Sequence, residues 1–302
     1  MKKSLLIPFF FCTFANMLIK IKTYLNLVKF SHTVFAMPFA LIGFFLASKE
    51  TGNFPNWQIF VFVLLCMVFA RSAAMAFNRY TDSKIDKENP RTAMREIPTN
   101  KLSRKNALIF TIANSILFVI TCFFINKATF YLSPLALLIV LTYSFTKRFT
   151  FFSHLILGLG LSIAPAGAFI AVSSYLSGQI LLLSSAVLLW TAGFDILYSL
   201  QDEEFDRENK LFSIPAKFGR LKSLYISAFI HLLSAMFIIL FTLSLSNNII
   251  LLIGTTIFLS LLVYQHLIIK PKDISKINLA FGTLNGIASI LFAIFTIFSL
   301  YY

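Results

Sequence analysis

Residues 56–86 read NWQIFVFVLLCMVFARSAAMAFNRYTDSKID. The first two thirds of this stretch are mostly apolar, with Arg71 the one charged residue, and about 20 such residues suffice to cross a bilayer core as a helix. Its last turns carry Asn78, Asp82 and Asp86 at spacings of four. On a helix that spacing stacks side chains one turn apart on one face, where like charges repel. The stretch therefore describes a membrane helix ending in carboxylates that need a compensating cation.

The composition of the whole chain agrees with the membrane reading. Hydrophobic residues make up 58% of the 302 positions and charged residues 13%, with Phe alone at 36 positions. A soluble domain holds roughly 45–50% apolar and about 25% charged residues, so one apolar core inside a charged surface is excluded, and so is disorder. The net charge of +14 is compatible with nucleic-acid binding, but the aromatics lie in apolar runs and not on a basic face, so no nucleic acid is expected. Cys12, Cys66 and Cys122 are odd in number, widely spaced and without a CxxC, which argues against a disulfide framework.

Nine spans are predicted, at about 30–48, 56–80, 106–125, 129–146, 152–173, 178–200, 223–245, 247–269 and 277–300. The fold class expected is an all-α integral membrane protein, with nine transmembrane helices bundled around a central cavity. Residues 25–302 are expected to form one domain, preceded by an interfacial extension over 1–24: Lys2 and Lys3 precede an apolar run as in a signal peptide, but no cleavage site follows. In the fifth span Gly158, Gly160, Pro165 and Gly167 are read as close-packing positions. Alternate connections carry 23 of the 26 Lys and Arg, which places that face in the cytoplasm, the N-terminus inside and the C-terminus outside, in the inner membrane.

Acidic residues contribute little to orientation, yet eleven of the twelve lie toward the same face. Besides Asp82 and Asp86 there is a second pair, Asp202 and Asp206, at the end of the sixth span. Each residue of the second pair lies 120 positions after its counterpart, and Asp86-Lys87-Glu88-Asn89 matches Asp206-Arg207-Glu208-Asn209. An even number of spans separates the pairs, so both emerge on one face, as in a parallel membrane repeat. Facing carboxylate pairs suit Mg2+, which takes one or two carboxylates and completes its shell with substrate phosphate and water. Arg91, Arg95, Lys147, Arg148, Lys210 and Lys217 are placed to reach the phosphate oxygens of a diphosphate. Asp195, two turns before Asp202, is an intramembrane carboxylate and so a functional candidate. Arg71 is open as its partner or as that of another buried group, while His32, His154, His231 and His266 lack ligand spacing and read as packing or interfacial residues.

The stretch Asn78-Arg79-Tyr80-Thr81-Asp82-Ser83-Lys84-Ile85-Asp86, followed by Asn89-Pro90-Arg91-Thr92, resembles the first motif of the UbiA superfamily of intramembrane prenyltransferases. Tyr198-Ser199-Leu200-Gln201-Asp202-Glu203-Glu204-Phe205-Asp206, with Ser213-Ile214-Pro215-Ala216-Lys217-Phe218-Gly219 behind it, resembles the second. Tyr143-Ser144-Phe145-Thr146-Lys147-Arg148 is similar to the family's basic fourth loop. The likeness covers about residues 25–300. Ser31–Ala40 and Arg91–Pro98 resemble the 4-hydroxybenzoate polyprenyltransferase-like branch, which includes members assigned to ubiquinone or menaquinone synthesis.

The resemblance implies transfer of a polyprenyl group from polyprenyl diphosphate to an aromatic acceptor such as 4-hydroxybenzoate within the lipid bilayer, with Mg2+ as cofactor. It implies Asn78, Asp82, Asp86, Asp202 and Asp206 as metal ligands, and Arg91, Tyr143, Lys147, Arg148 and Lys217 as diphosphate contacts. Asp195 and Tyr198 are implied beside the acceptor, with Arg148 open between acceptor carboxylate and diphosphate. A different acceptor (hydroxynaphthoate, haem or chlorin) within the same superfamily is the nearer alternative. A transporter is the remote one, since transporter sites usually lie near the midplane on broken helices.

Overall fold

The computed structural model describes residues 22–29, 36–52, 54–245 and 248–302. Most of the expected extension, Cys12, and the Ser31–Phe35 part of the first-span signature with His32 lie outside the described residues. Residues 22–27 form a short helix, α1. It is followed by α2 (Met37–Glu50), α3 (Trp57–Thr81), α4 (Ser83–Glu88), α5 (Arg104–Ile125), α6 (Lys127–Thr146), α7 (Ser153–Ser173), α8 (Gly178–Ser199), α9 (Glu203–Glu208), α10 (Ile214–Leu245), α11 (Ile249–Ile268) and α12 (Asn285–Tyr301). A 3₁₀ turn, Leu200–Asp202, joins α8 to α9, and a π-helical turn, Leu279–Leu284, leads into α12.

Eight of these helical stretches are long and apolar enough to span a membrane, and the 14-residue α2 covers the described part of the first expected span, 30–48. Side-chain caps fix several starts. Asn56 accepts from the amides of Gln58 and Ile59, Ser103 from Asn106, Asn126 from Thr129 and Ser177 from Ile180. Each satisfies an amide that the first helical turn leaves orphaned. The seventh span departs most from expectation: α10 begins at Ile214, because Ile214–Phe218 form a separate turn broken from the span at Gly219 (φ 75°, ψ 168°). That conformation is open to glycine and disfavoured for other residues.

The bundle is centred on α8, whose apolar window is 67% buried against 17% for the lipid-facing α6. It packs between α7 and α10, while α3 pairs with α5, α2 lies on α7 and α12 on α11. Trp190 stands edge-on to Phe39 at 5.2 Å and to Phe194 at 4.9 Å, at the middle of an apolar core shared by α2, α7, α8, α10, α11 and α12. The small residues of α7 act unequally. A Cβ on Gly158 would meet the Leu188 carbonyl oxygen at 2.2 Å, so glycine is what lets α7 lie against α8. The backbone of Pro165 is approached as closely by Gly43 of α2, whereas Gly167 has open space around it. Close approach therefore explains Gly158, and at Pro165 it requires the glycine of α2; a Cβ on Gly160 would meet only an ordinary contact, Val140 at 3.6 Å, and Gly167 is not explained by packing.

Candidate active site

Both acidic motifs share one backbone device, and it is not the continuous helix that the spacing of four implies. The α3 helix ends at Thr81, Asp82 adopts φ −90° and ψ 6°, and the six-residue α4 starts at Ser83. The α8 helix passes through a 3₁₀ turn to Asp202, at φ −104° and ψ 6°, and the six-residue α9 starts at Glu203. In each motif the first aspartate is the hinge and the second lies buried on the short helix. The spacing survives the break, since the Asp86 amide still donates to the Asp82 carbonyl at 2.7 Å. Two like-charged side chains one turn apart strain a straight helix, and a hinge between them lets both turn toward one cavity.

That cavity is walled by Asn78, Asp82, Asp86, Asp195, Tyr198, Asp202 and Asp206 together with Asn89, Arg91, Arg95, Tyr143, Lys147 and Arg148. Every residue singled out from the sequence as ligand or acceptor contact is thus brought together. Of the implied diphosphate contacts, Lys217 alone is not on the wall. It is exposed, with its ammonium 3.7 Å from the centroid of the Phe151 ring.

Each motif aspartate has a cation partner. Arg91 grips Asp202 with two bonds, Nη2 to Oδ2 at 2.5 Å and Nε to Oδ1 at 2.8 Å, and Asn89 donates to the same Oδ1 at 3.0 Å. Arg95 donates to Asp86 at 2.6 Å, Arg148 to Asp82 at 3.1 Å, and Lys147 reaches Asp206 at 3.5 Å. Arg91 follows the first motif and serves the second, while the fourth loop serves both, Lys147 the second and Arg148 the first. The loop carrying Arg91 and Arg95 is held by Ile97 and Leu102, which pack with Ala76 and Ala107 on α3 and α5, and by Thr92, whose hydroxyl donates to the Asp86 carbonyl at 3.0 Å. A strap from the Phe212 amide to the Lys147 carbonyl, 2.7 Å, fixes the fourth loop to the segment behind the second motif. Glu203, by contrast, is neutralised away from the cavity by Arg207 and Arg220.

The electrostatics follow from these partners. Burial works against the charge of Arg91, but its hydrogen bonds to Asp202 and the charge of that carboxylate outweigh it and hold the guanidinium above its ordinary value. Lys147 behaves alike, with Asp206 and Asp202 outweighing burial. Asp82 is pushed up by burial, and Asp86 adds to the push, despite the Arg148 contact. A further cation at this end of the cavity would relieve that strain. Asp86 supports the same point, because its Oδ2 is buried with no hydrogen-bond partner among the described residues. Among the described residues no three acidic, His or Cys side chains converge closely enough to hold an ion unaided. This donor set fits Mg2+, which accepts few carboxylates and takes the rest of its shell from phosphate and water.

Sequence reasoning missed one partner. His154, read as a packing or interfacial residue, is fully buried, and its Nδ1 lies 2.7 Å from Asp195 Oδ2. Arg71 is therefore not the ion-pair partner of Asp195, and its Nε has no hydrogen-bond partner among the described residues. Tyr198 is also tied to a cation, accepting from Arg91 Nη1 at 3.1 Å. No spacing rule links residues 41 positions apart, so the His154–Asp195 contact had no local signal.

The UbiA prenyltransferase family profile matches residues 36–296. A 4-hydroxybenzoate octaprenyltransferase from Aliivibrio salmonicida (strain LFI1238) is 33% identical over 192 residues, which are 62% of this chain and 64% of that protein. A protein of the same description from Aliivibrio fischeri (strain MJ11) is 30% identical over 256 residues, 83% of this chain and 86% of the relative. Among solved structures, the apo structure of a UbiA homolog from Aeropyrum pernix K1 superposes with a TM-score of 0.75 at 29% identity, covering 88% of this chain and 95% of that one. A UbiA homolog from Archaeoglobus fulgidus bound to DMAPP and Mg2+ shares the fold at a TM-score of 0.73 and 21% identity, over 92% and 98% of the two chains. A multi-span helical bundle, two hinged acidic motifs closing on one cavity and a family match over most of the length have one reading: the chain belongs to the UbiA prenyltransferase family.

Proposed function

We propose that this prenyltransferase joins a polyprenyl chain, donated as its diphosphate, to a phenolic aromatic acid of quinone synthesis, with 4-hydroxybenzoate the first candidate. The observation that carries the reading is the convergence of two carboxylate pairs, four cations and Asp195 on one cavity at the ends of apolar helices. The names of the curated relatives support the acceptor.

Asp82, Asp86, Asp202 and Asp206, with Asn78, would hold Mg2+. When bound, that ion supplies Lewis-acid neutralisation of the departing diphosphate. Arg91, Arg95, Lys147 and Arg148 each hold one of these carboxylates. With the carboxylate charge neutralised otherwise, these cations would be free to turn to phosphate, to which Arg binds bidentately. Their fixed positive charge opposes the charge that grows on the leaving group as the allylic carbon–oxygen bond ionises. The Tyr143 hydroxyl on the same wall supplies a neutral donor. The Phe205 ring on the wall can shield the allylic cation. The ring carbon ortho to the phenol attacks, because the phenolic oxygen feeds electron density to it, and Asp195 and Tyr198 on the cavity wall are the residues we assign to the acceptor. The apolar helices leave the prenyl tail in lipid-like surroundings. The grouping of basic residues supports a reading in which the basic face and the site lie on the cytoplasmic side of the inner membrane, with the C-terminus outside.

The test is product analysis from membranes supplied with Mg2+, a labelled prenyl diphosphate and a panel of hydroxybenzoates, hydroxynaphthoates, porphyrins and chlorins. A prenylated hydroxybenzoate supports the reading. Products from a porphyrin or chlorin alone would overturn the acceptor assignment and leave family membership intact.

A further inference from the structure

Asp195 lines the cavity from α8, and its Oδ2 is held by His154. His154 stands in the first turn of α7 and is 0% exposed. Its second ring nitrogen, Nε2, accepts the backbone amide of Ile214 at 3.4 Å. An amide can only donate, so Nε2 carries the lone pair and the proton sits on Nδ1, where it donates to Asp195. Ile214 opens α10, and the neighbouring Ser213 and Pro215 are both buried. Three helices therefore meet at one imidazole, and the contact gives the Ser213–Gly219 segment a purpose that phosphate binding does not: Lys217 points elsewhere, but the Ile214 amide fixes a tautomer. Among the described residues Asp195 Oδ1 has no hydrogen-bond partner, so the carboxylate is clamped at one oxygen and available at the other.

We propose that His154 is the positioning residue for Asp195, and that the free oxygen of Asp195 receives the phenolic proton of the acceptor. The proposal rests on the prenyl-transfer reading above. The step balances as follows. The allylic carbon–oxygen bond breaks with its electron pair leaving on diphosphate. The phenolic proton passes to Asp195 Oδ1, and the ring carbon ortho to the oxygen forms the new carbon–carbon bond to the allylic carbon. The resulting dienone moves the proton from its alkylated carbon to oxygen and regains the phenol. Asp195 then returns its proton to the leaving diphosphate or to water. His154 keeps its own proton throughout. Its Nδ1–H stabilises the ionised carboxylate and sets its rotamer, because a buried acid with an ordered donor on one oxygen has one direction left for the other.

The test combines kinetics with spectroscopy on the full-length protein in membranes or micelles. His154→Leu removes the donor, and His154→Gln restores an amide donor of similar reach. The proposal expects kcat for transfer to fall about 10²-fold in His154→Leu, the scale of a lost proton-transfer contribution. The KM for prenyl diphosphate should stay near that of the unsubstituted protein, because that substrate is bound elsewhere on the wall. Ionisation should then outrun transfer, so the prenyl alcohol formed by water should rise relative to prenylated acceptor. His154→Gln should recover a good part of kcat. A purely structural role would move KM, kcat and thermal stability together and would not be rescued. In 15N-histidine NMR, the signal lost in His154→Gln should be that of an Nδ1–H tautomer and should shift in Asp195→Asn. Absence of transfer to any phenol by the unsubstituted protein overturns the functional reading. With transfer intact, an Nε2–H tautomer, or a His154→Leu variant that transfers normally, overturns the dyad.

Discussion

The first and second acidic motifs have the same hinge and the same short helix, yet their first aspartates live in different surroundings. Asp202 has a side chain only 7% exposed and takes three donors from one loop, Arg91 twice and Asn89 once. Asp82 has a side chain 24% exposed and takes Arg148 at 3.1 Å and the Asn78 amide at 2.9 Å. The second aspartates differ the other way. Asp86 leaves one buried oxygen unpartnered, whereas Asp206 faces a lysine at 3.5 Å. A repeated backbone has thus been fitted with unlike partners. The second motif is clamped at its hinge, while the first keeps its spare coordination capacity on the short helix.

The largest effects should come from the carboxylates. Asp82→Ala, Asp86→Ala, Asp202→Ala and Asp206→Ala should each lower transfer by about 10³-fold or more, given that metal-assisted charge neutralisation is worth several kcal/mol and each 1.36 kcal/mol is tenfold. Asn replacements should fail too, since the amide keeps shape and loses charge. EDTA should stop the reaction. Stability should separate the motifs where activity does not. Asp202→Ala strands Arg91 and Asn89 and should destabilise by about 1–3 kcal/mol, while Asp82→Ala, at a more exposed site, should change stability less. Equal thermal shifts would mean that the clamp has no energetic counterpart.

Next come the cations. Arg91→Ala should raise the KM for prenyl diphosphate about 10–100-fold, the equivalent of a charged hydrogen bond worth about 1.5–3 kcal/mol. Arg91→Lys should recover little of it, because a point charge cannot replace a bidentate fork. Arg148→Ala distinguishes two roles. A rise in acceptor KM alone marks a contact with the acceptor carboxylate, and a rise in prenyl diphosphate KM alone marks a phosphate contact. If Arg148→Ala and Arg91→Ala behave alike, the two motifs handle the same substrate and the asymmetry is one of packing only.

Much of this was open to reading in the sequence, and the limits have physical reasons. The spans were legible because apolar length is set by bilayer thickness, so most of the spanning helices fall within a few residues of expectation. The shared offset of Asp82/Asp86 and Asp202/Asp206 was legible because a repeat preserves register. The hinge at each first aspartate was not, since a spacing of four looks the same across a break that keeps its i→i+4 hydrogen bond. Nor were the long-range pairs Arg91–Asp202 and Arg148–Asp82, separated by 111 and 66 positions. Which cation meets which acid depends on how α3, α6 and α8 come together, and a positive-inside count treats all basic residues alike. His154 was missed for the same reason, since a buried histidine in an apolar run carries no charge pattern around it.

A smaller effect follows from helix approach. Gly158→Ala places a methyl group against the Leu188 carbonyl oxygen and must push α7 from α8, and such overpacking costs about 1–3 kcal/mol. Because α7 carries His154 and α8 leads into the second motif, the displacement should lower kcat while sparing the first motif. Gly167→Ala, with open space around it, should leave both thermal stability and kcat unchanged. A loss at Gly167 equal to that at Gly158 would show that the α7 glycines act through something other than the α7–α8 contact.

The smallest effect is expected at Lys217, and it bears directly on the comparison of the motifs. The sequence gives both motifs basic residues downstream, so a symmetric site would use Lys217 behind the second motif as it uses Arg91 behind the first. The geometry breaks that symmetry. Lys217 lies over the Phe151 ring at 3.7 Å and near the Phe218 ring at 5.2 Å, outside the cavity wall. An exposed cation–π contact is worth about 0.5–1 kcal/mol, and surface substitutions usually stay within about 0.5 kcal/mol, roughly a twofold change in an equilibrium. Lys217→Ala should therefore leave the KM for prenyl diphosphate within about twofold and kcat unchanged. Steady-state kinetics in the same membranes used for Arg91→Ala provide the comparison. A KM increase approaching that of Arg91→Ala would mean that the Ser213–Gly219 segment turns about Gly219 and brings the ammonium over the bound diphosphate. The second motif would then have a basic flap of its own, and the asymmetry between the halves would be confined to the resting arrangement of their side chains.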